Sequence, residues 1–281
     1  MVDAIVTGAG GFLGKRLVER LEQAGVDVLA LDRTHGDISQ EGMWKDLPPA
    51  RTLFHLAGRT FVPDSWTQGP SFTAANVLGT QQALNWCKRH KARLIFASAY
   101  VYGVPERLPI RETDPVRPNN PYALSKHLAE QLCAFAATHE EIPVVVLRLF
   151  NIYGIGQRPE FLIPTLLNQV RTKQEIQVMD LSPRRDYVFV DDVLNALTKA
   201  MGVSEGYHCI NIGSGTSHSV QEIIEILQEA AGTDLPVVSS CAVRRNEIPD
   251  VRADITRARA VLGWRPEWDL PAGIRALMKE S

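Results

Sequence analysis

The most constraining feature of this chain is a glycine-rich turn close to its amino terminus. Residues 7–14 read TGAGGFLG, so a glycine recurs at every third position between an apolar segment and a helical pattern. Such a turn lets the backbone approach a pyrophosphate, and the helix that follows directs free N–H groups and its positive dipole end towards it. A strict G-x-G-x-x-G motif would need glycine where Leu13 stands, so the three-residue spacing fits better. The pattern predicts a dinucleotide site that includes Gly8, Gly11, Phe12 and Leu13.

Short apolar segments alternate with helical patterns over the first two thirds of the chain. The apolar, β-branched segments cover residues 3–7, 26–31, 52–57, 93–98 and 143–149, and the helical patterns lie near 12–24, 72–90 and 122–139. Continuous apolar character is typical of strands that are buried on both faces of a parallel sheet. The order therefore predicts an α/β fold with a doubly wound, Rossmann-type parallel sheet and right-handed crossovers.

The composition changes after Phe150, where proline, glycine and charged residues become more frequent. A helix is predicted near 163–173 and another near 219–231, and the strand at 207–212 is expected to return to the main sheet. We therefore expect a cofactor-binding domain at 1–150 plus about 186–232. A smaller, discontinuous substrate-binding domain is expected at about 151–185 plus 233–281.

Composition and charge exclude several classes of protein. The 30 basic and 32 acidic residues give a net charge of -2, which provides no argument for binding nucleic acid or an acidic membrane surface. No apolar run approaches the length of a membrane span, and the chain starts directly with a strand, so we expect no signal peptide. The four cysteines at 87, 133, 209 and 241 have no metal-binding spacing, so we predict no metal site and a reducing, cytoplasmic location.

The end of the second predicted strand carries a candidate ribose ligand. The Asp32 carboxylate can accept hydrogen bonds from both adenosine ribose hydroxyls and would repel a 2′-phosphate, so NAD is favoured. Arg33 follows directly and keeps NADP possible; the alternative role for Asp32 is a cap of the strand end. Asp37 and Ile38 could contact the adenine edge and face, or belong to an ordinary loop.

Three polar residues form the candidate catalytic set. Tyr122 and Lys126 are four residues apart and lie on one face of a helix. An ammonium and a positive nicotinamide ring would lower the pKa of the phenol, which could then accept the proton of a sugar hydroxyl. Ser98 ends a predicted strand, where ligands bind in open α/β sheets. The alternatives are a plain helix surface for the pair and a turn serine for Ser98.

The motifs together resemble the extended short-chain dehydrogenase/reductase family, and within it the nucleotide-sugar epimerases and reductases. The resemblance runs nearly end to end, through TGAGGFLG, FHLAG, NVLGT, SAYVYG, YALSK, RLFNIYGIGQ, RRDYVFVDDV and ADITRARAVLGWRP. It implies that Ser98, Tyr122 and Lys126 are catalytic. It also implies that the cofactor is lined by Leu56, Ala57, Gly58 and Asn76, in addition to the tyrosine and the lysine.

The resemblance also implies a nucleotide-diphosphate sugar as the substrate. Arg185 and Arg245 would bind the diphosphate, because two guanidinium groups can clamp it with charge-assisted bonds, and Asn151 would contact the substrate near the domain junction. The alternatives are two surface arginines and a turn asparagine. A substrate without a diphosphate would not need either arginine.

The reaction is narrowed by one departure from the family pattern. The 4,6-dehydratases of the family place an acidic pair after the catalytic serine or threonine, where this chain has Ala99 and Tyr100, so dehydration is disfavoured. An NDP-hexose 4-epimerase with bound NAD is slightly favoured. A 4-keto reductase is close behind, because HLAGRTFVPDSW at 55–66 resembles a segment of GDP-4-keto-6-deoxymannose reductases. A silent NAD-binding protein is the third reading.

The family resemblance also implies a homodimer built from the helices at 72–90 and 122–139. The second helix carries an apolar stripe, and that stripe could equally face the sheet. Its members are Leu124, Leu128, Leu132 and Phe135.

Overall fold

The computed structural model describes residues 1–242 and 246–280. Its strands are β1 Val2–Thr7, β2 Val28–Leu31, β3 Ala50–His55, β4 Arg93–Ala99, β5 Val144–Leu149, β6 Asn151–Tyr153, β7 Ile176–Val178, β8 Arg184–Arg185, β9 Tyr187–Phe189, β10 Tyr207–Ile212, β11 His218–Ser219 and β12 Val237–Ser239. Within the described residues, six strands form one parallel sheet in the order β10-β5-β4-β3-β1-β2. The predicted fold class is confirmed, and the strand at 207–212 pairs with β5 as expected.

The sheet is covered by helices on both faces. The α-helices are α1 Phe12–Gln23, α2 Val62–Ser65, α3 Gly69–Phe72, α4 Gly79–His90, α5 Pro121–His139, α6 Leu162–Thr172, α7 Val190–Ala200, α8 Val220–Ala231, α9 Thr256–Leu262 and α10 Leu270–Glu280. Alternate residues of each strand are buried in different core clusters: Val6 and Ile95 lie in one, and Ile5 and Phe96 in the other. Burial on both faces explains why the strands are continuously apolar in sequence.

The strand register places the predicted site residues at one edge of the sheet. Thr7 of β1 lies opposite Leu31 of β2 and His55 of β3, so the carboxyl ends of these three strands are level. The residues that follow them, including Gly8, Asp32 and Leu56, therefore meet at the same edge. This is the edge at which open α/β sheets bind ligands.

Two helical features differ from the sequence prediction. The predicted helix at 72–90 contains a π-helical segment, Thr73–Leu78, before α4 begins. Helix α7 was not predicted, because the region before residue 190 is rich in proline, glycine and charge. Its sequence VDDVLNALTKA has two acidic residues in the first turn and buries Val190, Val193 and Leu197. Both are ordinary helix signals that we did not weigh.

The remaining elements lie beside the sheet. Strands β6 and β9 pair in parallel, as do β7 and β12, while β8 and β11 are antiparallel. Helix α8 packs against α6 and α10. The fully buried Asp186 connects these pieces, because its carboxylate accepts hydrogen bonds from the backbone N–H groups of Ser214 (2.6 Å), Gly215 (3.0 Å) and Ala253 (3.0 Å). Among the described helices, none combines the length and apolarity required to cross a membrane.

Candidate active site

The glycine turn forms a cradle that leaves no room for side chains. Gly8 has a φ of +73°, and a Cβ placed there would lie 2.8 Å from the Ala57 nitrogen. A Cβ at Gly14 would lie 2.0 Å from the Gly8 carbonyl oxygen. Helix α1 begins at Phe12 without a side-chain cap, so its first-turn N–H groups are directed outwards. A pyrophosphate fits this arrangement of close backbone and free donors.

Asp32 lies beside the cradle and also caps a turn. Its Oδ1 accepts hydrogen bonds from the Thr34 nitrogen (2.9 Å) and the Thr34 hydroxyl (2.6 Å), and it lies 2.9 Å from His35 Nδ1. These contacts, led by the Thr34 hydroxyl, lower the pKa of the carboxyl to about 2. Its Oδ2 lies 3.7 Å from the position that a Cβ at Gly10 would occupy. The capping role is therefore present, and it uses a different oxygen from the one that faces the cradle.

The residues predicted to flank the adenine have local partners. Asp37 Oδ1 accepts hydrogen bonds from the backbone nitrogen (2.9 Å) and the hydroxyl (2.8 Å) of Ser39. The Ile38 side chain packs against Gly79, where a Cβ would lie 2.9 Å from Ile38 Cδ1. Arg33 is exposed. The contacts of these residues with the cofactor stay predictions.

Asn76 holds the loop that follows β3. It is 1% exposed, and its Oδ1 accepts from the Arg59 nitrogen at 2.8 Å. Its Nδ2 donates to the Arg59 carbonyl (3.0 Å) and to the Ser125 hydroxyl on α5 (2.8 Å). Because these partners belong to the protein, Asn76 fixes the segment Leu56–Gly58 against α5. Its direct contact with a cofactor stays a prediction. The surrounding π-helical segment is a type of irregularity that is frequent at functional sites.

Helix α5 brings Tyr122 and Lys126 to the same edge of the sheet. The helix begins after Asn120, whose side chain accepts a hydrogen bond from the Ala123 nitrogen at 2.8 Å. Lys126 Nζ donates to the Ala97 carbonyl at 2.7 Å and lies 4.7 Å from the centre of the Phe96 ring. The lysine is thus bound to the strand residue that precedes Ser98.

Burial shifts the proton affinities of the pair in opposite directions. It lowers the pKa of Lys126 to about 8, although the charge of Glu130 partly offsets this effect. It raises the pKa of Tyr122 above its usual value of 10. The expectation that a nearby ammonium lowers the pKa of the phenol is wrong for the protein by itself, because the loss of hydration dominates. The free protein therefore holds a neutral phenol.

Ser98 belongs to a buried polar network that the sequence analysis missed. Its Oγ donates to Glu130 Oε1 at 2.5 Å, and Arg148 Nη2 donates to Glu130 Oε2 at 2.7 Å. All three side chains are buried. Two sequence signals were available: Arg148 interrupts an apolar strand and therefore needs a buried partner, and Glu130 lies one turn after Lys126.

His55 is a second residue that was missed, although it lies in the FHLAG segment. It is fully buried, and its Nδ1 lies 2.9 Å from the Thr7 hydroxyl. Burial and the charge of Lys126 lower its pKa to about 3, so the imidazole is neutral. The Thr7 hydroxyl in turn accepts a hydrogen bond from the Ala57 nitrogen at 3.3 Å. His55 therefore supports the loop that contacts Gly8.

The predicted substrate arginine is already occupied by partners from its own chain. Arg185 Nη1 donates to the carbonyls of Ile248 (2.6 Å) and Arg184 (2.7 Å), and Nη2 is paired with the Glu247 carboxylate. Its charge acts on Tyr100, where burial raises the pKa of the phenol and Arg185 partly offsets that rise. Arg185 thus lies near the end of β4.

The other two predicted substrate ligands are placed less fully. Asn151 Nδ2 donates to the Asp186 carbonyl at 3.2 Å, next to Arg185 in sequence. Arg245 lies outside the described residues. Among the residues that are described, no group of three or more His, Cys, Asp or Glu side chains is arranged to hold a metal ion.

Comparison with known proteins identifies the family. The profile of the NAD dependent epimerase/dehydratase family matches residues 4–213. GDP-6-deoxy-D-mannose reductase of Pseudomonas aeruginosa is 35% identical over 98% of this chain and 95% of its own length. UDP-glucose 4-epimerase of Lactobacillus helveticus is 30% identical over 95% of this chain and 92% of its own. The chain belongs to the NAD-dependent epimerase/dehydratase family.

Solved structures give the same result. RMD from Pseudomonas aeruginosa, complexed with NADPH, has a TM-score of 0.91 and 31% identity and covers 99% of this chain and 98% of its own. MoeE5 in complex with UDP-glucuronic acid and NAD has a TM-score of 0.90 and 33% identity, with the same coverage. The relatives also include dTDP-glucose 4,6-dehydratases, so family membership does not select one reaction.

Proposed function

We propose that this protein is an NAD(P)-dependent nucleotide-sugar oxidoreductase, and that it acts as an NDP-hexose 4-epimerase with bound NAD. The observation that carries the proposal is the Asp32 carboxylate, which is ionised and has one oxygen directed at the glycine cradle. A carboxylate there accepts the ribose hydroxyls and repels a 2′-phosphate. An epimerase keeps its NAD throughout the cycle, whereas a reductase must exchange it.

Each site residue has a role in this proposal. Gly8, Gly11, Phe12 and Leu13 hold the pyrophosphate, Asp32 and Arg33 lie at the ribose, and Asp37 and Ile38 lie at the adenine. Leu56, Ala57, Gly58 and Asn76 form the wall beside the nicotinamide. When bound, the nicotinamide supplies the position that takes up and returns hydride.

The chain's own residues handle the proton and the substrate. Lys126 holds the nicotinamide ribose, and Tyr122 exchanges the proton of the sugar hydroxyl. The neutral phenol of the free protein acts as an acid for a keto sugar. It becomes a base only where positive charge compensates for its burial. Ser98 contacts the same oxygen, while Asn151, Arg185 and Arg245 hold the remainder of the nucleotide sugar.

A 4-keto-6-deoxyhexose reductase is the second candidate. Its support is the relative at 35% identity over nearly the full length, a GDP-6-deoxy-D-mannose reductase, together with the NADPH-bound structure of RMD. A dehydratase is less well supported, because Ala99 and Tyr100 provide no acid after Ser98. A silent NAD-binding protein would need no reason to preserve Ser98, Tyr122 and Lys126 together.

Mass spectrometry of the purified protein, followed by a substrate screen, tests the proposal. The protein is denatured and its bound nucleotide identified, and fresh protein is then incubated with UDP-, GDP-, dTDP- and CDP-hexoses and their 4-keto-6-deoxy forms. Retained NAD with conversion of a hexose to its C4 epimer supports the epimerase. Stoichiometric loss of NADH or NADPH with a 4-keto sugar selects the reductase, and no conversion in any arm contradicts both.

We further propose a homodimer, supported by the outer face of α5. Leu124, Leu128 and Phe135 are 49%, 43% and 59% exposed, whereas Ala129 and Cys133 face the core. The alternative reading, in which the whole stripe faces the sheet, is therefore wrong for these three residues. The neighbouring helical segment exposes Leu78 in addition. Light scattering coupled to size-exclusion chromatography measures the mass directly.

The domain division at 1–150 plus about 186–232, against about 151–185 plus 233–281, also stays our proposal. So does the cytoplasmic location, which draws support from four free cysteines. In both cases the argument is the one made from the sequence.

A further inference from the structure

We propose that Glu130 fixes Ser98 as a hydrogen-bond acceptor towards the substrate, so that Ser98 binds a sugar hydroxyl and does not donate to a keto oxygen. Glu130 is a positioning residue in this scheme, because it acts through Ser98. The inference rests on the proposed function, since it concerns the oxygen at the reacting carbon. It assigns to Ser98 a direction that its position alone does not define.

The first step is the charge state of Glu130. Its side chain is 2% exposed, and burial by itself would raise the pKa of its carboxyl. Contacts from His127, Arg148 and Ser98 outweigh that effect, and the pKa lies below its usual value. The Arg148 guanidinium donates to both oxygens, through Nε to Oε1 (3.0 Å) and through Nη2 to Oε2 (2.7 Å). Glu130 is therefore a carboxylate at neutral pH.

The second step is the position of the Ser98 proton. A carboxylate can only accept hydrogen bonds, so the bond of 2.5 Å between Ser98 Oγ and Glu130 Oε1 must contain the serine proton. A serine hydroxyl has one proton. While this bond is intact, Ser98 can offer only lone pairs to a ligand.

The third step is the consequence for the substrate. A sugar hydroxyl can donate to Ser98, while a ketone has no proton to donate. Tyr122, which is protonated in the free protein, is then the residue that donates to a keto oxygen. The rest of the network keeps Arg148 in place: its Nη1 donates to the Tyr102 hydroxyl (2.8 Å), which donates to Asn211 Oδ1 (2.6 Å).

Glu130→Gln is the variant that tests this direction. The carbonyl of the new side-chain amide would turn towards Arg148, because a guanidinium only donates, and the amide NH₂ would then face Ser98. Ser98 must accept from that NH₂, and its own proton becomes available to a ligand. The substitution therefore converts Ser98 from an acceptor to a donor.

Binding is measured by calorimetry with two unreactive ternary complexes. One contains UDP-hexose with NADH, and the other contains UDP-4-keto-6-deoxyhexose with NAD; the GDP pair replaces them if the screen selects GDP. The value compared is the ratio of the keto Kd to the hydroxyl Kd. We expect Glu130→Gln to lower this ratio about tenfold, which corresponds to one hydrogen bond. An equal change in both affinities would overturn the proposal.

Two further variants keep the test decisive. Ser98→Ala should weaken the hydroxyl complex about fivefold and leave the keto complex within about twofold, and it applies even if Glu130→Gln does not fold, since it leaves the Glu130–Arg148 pair intact. Equal weakening of both complexes would show that Ser98 donates to ketones. Tyr102→Phe is the matched control, because it disturbs Arg148 without touching Ser98 and should leave the ratio unchanged. If the unmodified protein binds neither sugar, the proposed function fails instead.

Discussion

The cradle proposed for the cofactor and the arginine proposed for the substrate satisfy their polar groups in different ways. In the cradle the geometry comes from the backbone: Gly8 and Gly14 leave no space for a Cβ, and the first turn of α1 has N–H groups without intrahelical partners. Arg185 instead has its guanidinium bound to Glu247 and two carbonyls of its own chain. The comparison indicates that the cofactor side is ready to bind, whereas the substrate side must exchange internal partners for a ligand.

Tyr122→Phe gives the largest expected effect and tests whether both sides meet at one reacting atom. We expect kcat to fall about 1000-fold, because the proton of the sugar hydroxyl loses its exchange partner. NAD affinity should change less than about threefold, because the phenol adds little to the cradle. Steady-state kinetics and calorimetry provide the two values. Tyr153→Phe, which removes a hydroxyl away from the site, is the control, and full activity of Tyr122→Phe would contradict the mechanism.

Gly14→Ala tests the rigidity of the cofactor side. The new Cβ would lie 2.0 Å from the Gly8 carbonyl oxygen, so the turn must open; we expect NAD affinity to fall about 100-fold and stability by about 2 kcal/mol. Gly42→Ala is the matched control, since nothing lies within 4 Å of that position. Titration with NAD and thermal unfolding measure both. Equal affinities of the two variants would refute a backbone-built cradle.

Arg185→Ala tests the substrate side. Loss of the guanidinium should raise the KM of the nucleotide sugar about 30-fold with little change in kcat, because a charge-assisted contact is removed. Glu247→Gln should lower that KM about threefold, since the diphosphate then competes with a neutral partner. Arg184→Ala, which removes a pair with Glu222, is the control. An unchanged KM in Arg185→Ala would require a different substrate class.

Asp32→Ala gives the smallest of these effects and separates the two roles of the carboxylate. We expect NAD to bind about tenfold more weakly and the preference over NADP to shrink, because the ribose hydroxyls lose an acceptor. Thr34→Ala removes the capping contact and retains the carboxylate, so it should leave the preference intact. Since the pKa of Asp32 is about 2, the group is ionised well below neutrality. The preference should then be constant from about pH 5 to 9, and a drift within that range would contradict this state.

Local patterns predicted the sheet well. The predicted segment 93–98 corresponds to Arg93–Ala99, and 143–149 to Val144–Leu149, because strands buried on both faces are continuously apolar. The cradle was predictable for a similar reason, since its glycines are adjacent in sequence. Family resemblance, and not spacing, supplied the roles of Asn151 and the two arginines.

The partners of the site residues could not be predicted from local patterns. Glu130 and Arg148 are 18 residues apart and on different elements, and no periodicity indicates that they meet. The occupation of Arg185 by Glu247 depends in the same way on how a distant loop folds back. Helix α7 is a different case, because its acidic first turn and apolar periodicity were present in the sequence and were outweighed by the composition before it.

Helix α5 has one more consequence, which concerns the amount of enzyme in an assay. Its inner side carries Tyr122 and Lys126, and its outer side carries Leu124, Leu128 and Phe135, so a rigid rod connects the chemistry with the surface proposed to meet a second subunit. Dilution that separates the subunits would leave this rod uncovered and less firmly seated. We therefore expect turnover per molecule to decline in very dilute solutions and to recover on reconcentration, and strict proportionality at all dilutions would show that the rod needs no outer support.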